Sequence, residues 1–220
     1  MWKQHSGIML ALDVENRAQA FRLLDLIGED CDAIKFNYPL VLREGLSIVT
    51  EVKNRCKKPI LCDFKVADVP VTNDRIIRIC GEAGADGVMV HGFIGMDALQ
   101  SAVQAAGNTA LFLVTQMTNP GGLDFTAQFT DEFAAMARTF GLAGVQAPGN
   151  RPEVVRHVRE IIGPDMMIVC CGIGAQGGIF GAAIEAGATF EIIGRAIYDA
   201  KDPVAKVAEI KAATRPFIKS

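Results

Sequence analysis

Asp63-Phe64-Lys65-Val66-Ala67-Asp68 sets an ammonium group two residues after one carboxylate and three before another. Residues i and i+2 of a strand share a face, so Asp63 and Lys65 point to one side while Cys62 and Phe64 point to the other. Asp68 joins them only through a turned loop or from a neighbouring subunit. A buried lysine flanked by carboxylates keeps its proton, because opposite charge favours the charged form. Such a lysine is a poor imine-forming nucleophile and a good proton donor. Asp13, which ends Leu10-Ala11-Leu12-Asp13, and Lys35, within Ala33-Ile34-Lys35-Phe36, interrupt apolar runs in the same manner. One Asp–Lys pair alone reads as a structural salt bridge. Five ionisable residues at three neighbouring strand ends are costly to bury and seldom the best route to stability, so Asp13, Lys35, Asp63, Lys65 and Asp68 together read as catalytic.

A second constellation is Gly172-Ile173-Gly174-Ala175-Gln176-Gly177-Gly178, followed later by Gly194-Arg195. Glycines let backbone N–H groups approach phosphate oxygens, and an arginine adds a bidentate charged contact. A glycine loop alone is a turn; with an arginine closing the next apolar run it reads as a phosphate site, with Gly172, Gly174, Gly177 and Gly194 as the close-approach positions. His91 and Gln116 also end apolar runs, and Thr118 lies just beyond. His91 reads equally as a proton donor or as a histidine hydrogen-bonded beneath a rim. His5, His157 and Trp2 have no constellation around them, and Met89, Met166 and Met167 read as core packing.

These residues need a scaffold that repeats. Short apolar runs fall at 7–13, 33–37, 59–65, 87–92, 110–116, 144–148, 166–172 and 191–195. Between them, apolar residues recurring at three and four predict helices over 15–28, 39–55, 72–83, 95–106, 126–140, 151–162, 178–186 and 201–218. Almost continuously apolar strands belong to a parallel sheet covered on its outer face. Eight strand–helix units in 220 residues predict an α/β fold of the (β/α)8 TIM-barrel class, compact for an architecture that typically takes about 250. The competitor, an open doubly wound sheet, carries a glycine fingerprint after its first strand, and Leu12-Asp13-Val14 has none. No linker interrupts the pattern, so residues 1–220 read as a single barrel domain. In such barrels the site is built at the C-terminal ends of the strands, where the charged residues fall.

The chain has 22 Lys+Arg against 25 Asp+Glu, net −3, with no block of like charge. Phosphate-backbone binding needs clustered basic residues, so no nucleic-acid partner is expected. The longest apolar stretch, 166–175, is too short for a membrane span, and the run before Asp13 is too short for a secretory leader. The expectation is a cytoplasmic protein with no membrane association. Cys31, Cys56, Cys62, Cys80, Cys170 and Cys171 form no C-x-x-C pair and have no histidine at zinc spacing. Reduced core thiols are expected, and no metal.

Asp63-Phe64-Lys65-Val66-Ala67-Asp68-Val69-Pro70 with Thr72 and Asn73, taken with Leu10-Ala11-Leu12-Asp13, Lys35, the Gly174-Ala175-Gln176-Gly177-Gly178 loop and Ile193-Gly194-Arg195, resembles the orotidine 5′-phosphate decarboxylase family, most of all its short archaeal forms. The resemblance covers essentially the whole chain. It implies decarboxylation of orotidine 5′-phosphate to uridine 5′-phosphate, the last step of de novo pyrimidine nucleotide synthesis, without metal or organic cofactor. It implies that Lys65 protonates C6 as carbon dioxide leaves and that Asp63, Asp68 and Lys35 complete a charged tetrad. It further implies a homodimer in which Asp68 and Thr72 come from the partner subunit. Asp13 and Lys35 match the ribose contacts, Gln176 and Arg195 the phosphate contacts, and Thr118 the position facing the pyrimidine. Residues 118–125, with Asn119-Pro120-Gly121-Gly122, read as a lid. Thr118 stands where the family often has serine, and Cys171 where a proline is usual. Magnesium-dependent sugar-phosphate lyases on the same scaffold, of the hexulose-phosphate synthase or ketogulonate-phosphate decarboxylase type, share D-x-K-x-x-D but place an acidic residue near the position of Lys35; a lysine there argues against a metal. A noncatalytic nucleotide-binding barrel is the rival of another class, and intact Asp63, Lys65 and Asp68 argue against it.

Overall fold

The computed structural model describes residues 2–218; Met1, Lys219 and Ser220, the ends of the unit read from the sequence, lie outside the described residues. Eight strands, β1 (Ile8–Ala11), β2 (Ala33–Phe36), β3 (Ile60–Val66), β4 (Gly87–His91), β5 (Ala110–Val114), β6 (Gly144–Pro148), β7 (Met167–Cys171) and β8 (Phe190–Ile193), pair in sequence order and close on themselves through β1 and β8. Every pairing is parallel. This is the predicted (β/α)8 TIM barrel.

Alternation along the strands divides the apolar side chains between two packing regions. Inside the barrel lie Met9, Leu61, Met89, Phe112, Val114, Met167, Val169 and Phe190. Between barrel and helices lie Leu10, Ile34, Phe36, Cys62, Val88, Leu113, Val145, Ile168 and Ile193. Phe112 fills the interior because two inward positions lack side chains: a Cβ on Gly144 would stand 2.7 Å from its ring and one on Gly87 3.1 Å. Trp2 lies against the same ring, with centroids 5.2 Å apart, and near Phe190, closing the N-terminal end. Trp2 is thus a packing residue, with no chemical constellation around it.

The helices are α1 (Arg17–Ile27), α2 (Tyr38–Glu44), α3 (Ser47–Cys56), α4 (Pro70–Glu82), α5 (Met96–Ala106), α6 (Thr130–Thr139), α7 (Pro152–Ile162), α8 (Ala182–Glu185), α9 (Arg195–Tyr198) and α10 (Pro203–Thr214). Several bounds differ from the sequence pattern for local reasons. The predicted helix 39–55 is two helices, because Gly45 adopts φ +82 and breaks the ladder. The predicted helix 126–140 begins as a 3-10 turn, Thr126–Phe129, before α6. The predicted helix 178–186 shrinks to α8, which starts only after Gly181 at φ +85. The last predicted strand stops at Ile193, and Arg195 opens α9. Helix α4 starts earlier than predicted because Pro70 occupies the first turn, where its missing N–H is no loss. All six cysteines are free thiols, five of them buried, and no helix among the described residues is long and apolar enough to cross a membrane.

Candidate active site

The charged cluster assembles across three adjacent strands. Lys35, the third residue of β2, donates through Nζ to Asp13 Oδ1 at 2.9 Å and Oδ2 at 2.7 Å, just beyond the end of β1. The same Nζ lies 3.8 Å from Asp63 Oδ2 on β3. Lys65, two residues further along β3, donates to Asp63 Oδ1 at 2.6 Å. Carboxylate and ammonium therefore alternate from Asp13 through Lys35 and Asp63 to Lys65. The middle pair is sealed, with Lys35 at 4% and Asp63 at 2% side-chain exposure, whereas Lys65 and Asp13 reach the open space at 24% and 26%.

Simple strand alternation brings Lys65 to the same face as Asp63, but the backbone there is irregular. The register of β3 against β4 shifts between Cys62 and Val66, and Lys65 has φ +44. A long side chain in the left-handed region is strained, and such strain persists only where the surroundings impose it. Burial pulls the Lys65 pKa down, but the Asp63 carboxylate, with Cys171 and Asp13, together outweigh it, so it sits above the ordinary lysine value. Lys65 is a charged ammonium at neutral pH. Beside it, burial lifts the Cys171 thiol to about 11, keeping it protonated.

Above the cluster opens a cavity of about 190 Å³ lined by Asp13, Lys35, Asp63, Lys65, Thr118, Gly172, Gln176, Gly194 and Arg195. Of the glycines singled out in the sequence, Gly174 and Gly177 do not line it. Their N–H groups are used within the loop, Gly174 N to Gly178 O at 2.7 Å and Gly177 N to Gly174 O at 2.8 Å, and both have positive φ. They shape the loop that carries Gln176. The carboxylate of Glu191, fully buried on β8, accepts from Gly181 N and Ala183 N and fixes the start of α8 behind that loop.

The segment after β5 is anchored at its base. Arg151 donates to the carbonyl oxygens of Met117, Thr118 and Asn119, and Asn150 Nδ2 donates to that of Thr118 at 3.1 Å. Beyond the anchor, a 3-10 turn, Pro120–Leu123, carries exposed Leu123, with exposed Phe125 following.

Asp68 and Thr72 lie outside this cavity. Asp68 is exposed and its Oδ1 accepts from Val69 N at 2.6 Å. Buried Asn73 clamps the turn from both sides, accepting from Asp68 N and donating to Asp68 O. Asp68 lines a shallow groove with exposed Val69 and Phe93, and Val71 and Met96 in the same two stretches of chain are exposed as well. His91 is not a cavity residue either: its ring stacks on Phe93 at 4.4 Å, and burial, with the Lys65 charge nearby, lowers its pKa to about 4. Gln116 faces away, accepting from Thr130 Oγ1.

Sequence reasoning missed Gln146, Tyr198, Asn37 and Met117, all of which line the cavity. Gln146 had a usable signal as the one polar side chain in the run Gly144–Pro148. Tyr198 had none, because α9 is a single turn that no periodicity marks. No three His, Cys, Asp or Glu side chains among the described residues gather in a way that could hold a metal ion.

The sequence pattern of the orotidine 5′-phosphate decarboxylase / HUMPS family matches residues 6–210. The orotidine 5′-phosphate decarboxylase of Methanococcoides burtonii is 43% identical over 203 residues, covering 91% of this chain and 94% of the relative. That of Pyrococcus furiosus is 41% identical over 196 residues, covering 89% and 92%. Among solved structures, the orotidine 5′-monophosphate decarboxylase of Methanocaldococcus jannaschii complexed with the inhibitor BMP superposes with a TM-score of 0.90 at 35% identity, covering 96% of this chain and 99% of that one.

Proposed function

The chain belongs to the orotidine 5′-phosphate decarboxylase / HUMPS family, and from that premise we propose that it is a carbon–carbon lyase converting orotidine 5′-phosphate to uridine 5′-phosphate in pyrimidine biosynthesis. The observation that carries the reading is the Lys65 ammonium held 2.6 Å from the sealed Asp63 carboxylate at the cavity floor, below a rim bearing Gln176 and Arg195. The nucleotide enters with its phosphate at the rim, on Gln176 and Arg195 with the Gly172 and Gly194 backbone beside them, its ribose by Asp13 and Lys35, and its pyrimidine by Thr118. The bond from C6 to the carboxylate breaks, carbon dioxide leaves, and the electron pair stays on C6. Lys65 then delivers a proton from Nζ to that carbon and recovers one from water. No carbonyl is positioned to delocalise a pair on a vinylic carbon, so a fixed adjacent ammonium is the stabiliser the reaction needs. Asp63 keeps Lys65 charged and in place.

Enzymes lower barriers by roughly 8–23 kcal/mol, more than one ion pair supplies. Binding energy at the remote phosphate makes up the difference by holding the lid, residues 118–125, closed over the base. The working unit is a homodimer in the cytoplasm, with Asp68 and Thr72 completing the partner's site; the exposed apolar side chains around Asp68 support that assembly, and six free thiols fit a reducing compartment. The domain is the whole chain, 1–220, and the reaction uses no metal or organic cofactor.

The test is the loss of orotidylate absorbance on mixing with purified protein, with and without chelator. Wild type decarboxylates equally in both, and Lys65→Ala loses at least about a thousandfold in kcat while still binding uridine 5′-phosphate. Substantial turnover by Lys65→Ala refutes the proton-donor role. A sugar-phosphate activity that needs magnesium and vanishes with chelator refutes the substrate.

A further inference from the structure

Gln146 is 1% exposed and lines the cavity. Neither Oε1 nor Nε2 has a hydrogen-bond partner among the described residues. Its main chain, by contrast, is engaged: the carbonyl accepts from Thr115 N at 3.0 Å and Thr115 Oγ1 at 2.8 Å. On either side it is registered with Val114 and Val169, both in the apolar barrel interior. An orphaned buried carboxamide destabilises a protein by about 1–3 kcal/mol, and an apolar side chain would pack this layer better. The partner that justifies Gln146 is therefore whatever enters the cavity.

Depth identifies which part of the ligand that is. Gln146 is the third of five residues in β6 and Asp63 the fourth of seven in β3, so both lie below the strand ends, whereas Gln176 on the loop after β7 and Arg195 at the start of α9 lie beyond them. On the decarboxylase reading, which this inference rests on, the group brought to that floor is the carboxylate at C6. Asp63 is acceptor-only and Lys65 already gives one hydrogen to it. Lys65 is committed to C6 on this reading, and the Gln146 amide supplies two further N–H groups, neither of them used, to an incoming anion. We propose that Gln146 is a specificity-determining residue that donates an N–H hydrogen bond from its carboxamide to the anionic substituent at C6 of the bound pyrimidine. Held alike while the carboxylate is attached and while it departs, the bond acts on KM rather than on kcat.

The experiment compares wild type, Gln146→Met and Gln146→Leu in decarboxylation of orotidine 5′-phosphate and in inhibition by two nucleotides: uridine 5′-phosphate, with hydrogen at C6, and 6-hydroxyuridine 5′-phosphate, with an anionic oxygen there. Either substitution raises KM for orotidine 5′-phosphate and Ki for the 6-hydroxy nucleotide by about tenfold or more, and leaves kcat within about threefold and Ki for uridine 5′-phosphate within about twofold. The melting temperature holds or rises, and the leucine variant gives the same ratio if the methionine variant does not fold. Equal loss of both nucleotides, or an unchanged KM in a folded variant, overturns the inference and leaves the decarboxylase reading standing. A wild-type protein that does not decarboxylate overturns that reading instead.

Discussion

His91 stands at the end of β4 with its Nδ1 buried and without a hydrogen-bond partner among the described residues, within reach of the charges on Lys65 and Asp63. Burial first, and then Lys65, hold its pKa near 4 against an ordinary 6.5. Between those values the unfolded chain binds a proton that the folded one refuses, so stability rises with pH across this window and is lost as pH falls through it. The effect is on the order of 2 kcal/mol, trimmed for partial exposure. His91→Asn is expected to flatten the acid limb of melting temperature against pH between about 6.5 and 4; an unchanged limb contradicts the assignment. Lys65 has the opposite sign. Its raised pKa contributes stability that is complete below the ordinary lysine value and is lost only in strong alkali. At this scale the charged cluster was legible in sequence, because an aspartate or lysine ending an apolar run is conspicuous. Gln146 was less so, since one polar residue leaves a buried strand's pattern intact.

The elements divide in the same way. All eight strands were legible because burial on both faces makes them continuously apolar, a signal that depends on no distant contact. The helix break at Gly45, the short α8 and the single turn α9 were not, because each is set by a local dihedral or by tertiary partners such as Glu191. Packing at strand level also has a strict requirement that composition hides. A Cβ on Gly144 would lie 2.5 Å from the Met167 carbonyl oxygen and 2.7 Å from the Phe112 ring. Neither backbone nor a ring fixed from both sides can yield, so Gly144→Ala is expected to destabilise by about 1–3 kcal/mol through overpacking, read as a lower denaturation midpoint with unchanged slope. An unshifted midpoint would mean that Phe112 moves freely, contrary to its complete burial.

For the whole molecule, Asp68 points out of its own chain's cavity while the motif that contains it points in. Mixing Lys65→Ala with Asp68→Ala subunits is expected to restore about a quarter of wild-type activity. Half of randomly assorted dimers are mixed, and each of those has one site with both residues intact. No recovery despite proven subunit exchange would place Asp68 in its own chain's chemistry. The proposed dimer rests on the resemblance of the motif. Exposed Val69 and Val71 belong to one stretch of chain and exposed Phe93 and Met96 to another, and Val69 and Phe93 meet beside Asp68 only once the chain has folded.

Trp2 is the single tryptophan of the chain, and it sits on Phe112 and Phe190 at the end of the barrel away from the cavity. Its indole emission is thus a built-in optical gauge of barrel integrity, read at a site that does not line the cavity. Folding and ligand occupancy can be followed in one sample on separate channels, which is the separation that every substitution discussed above requires.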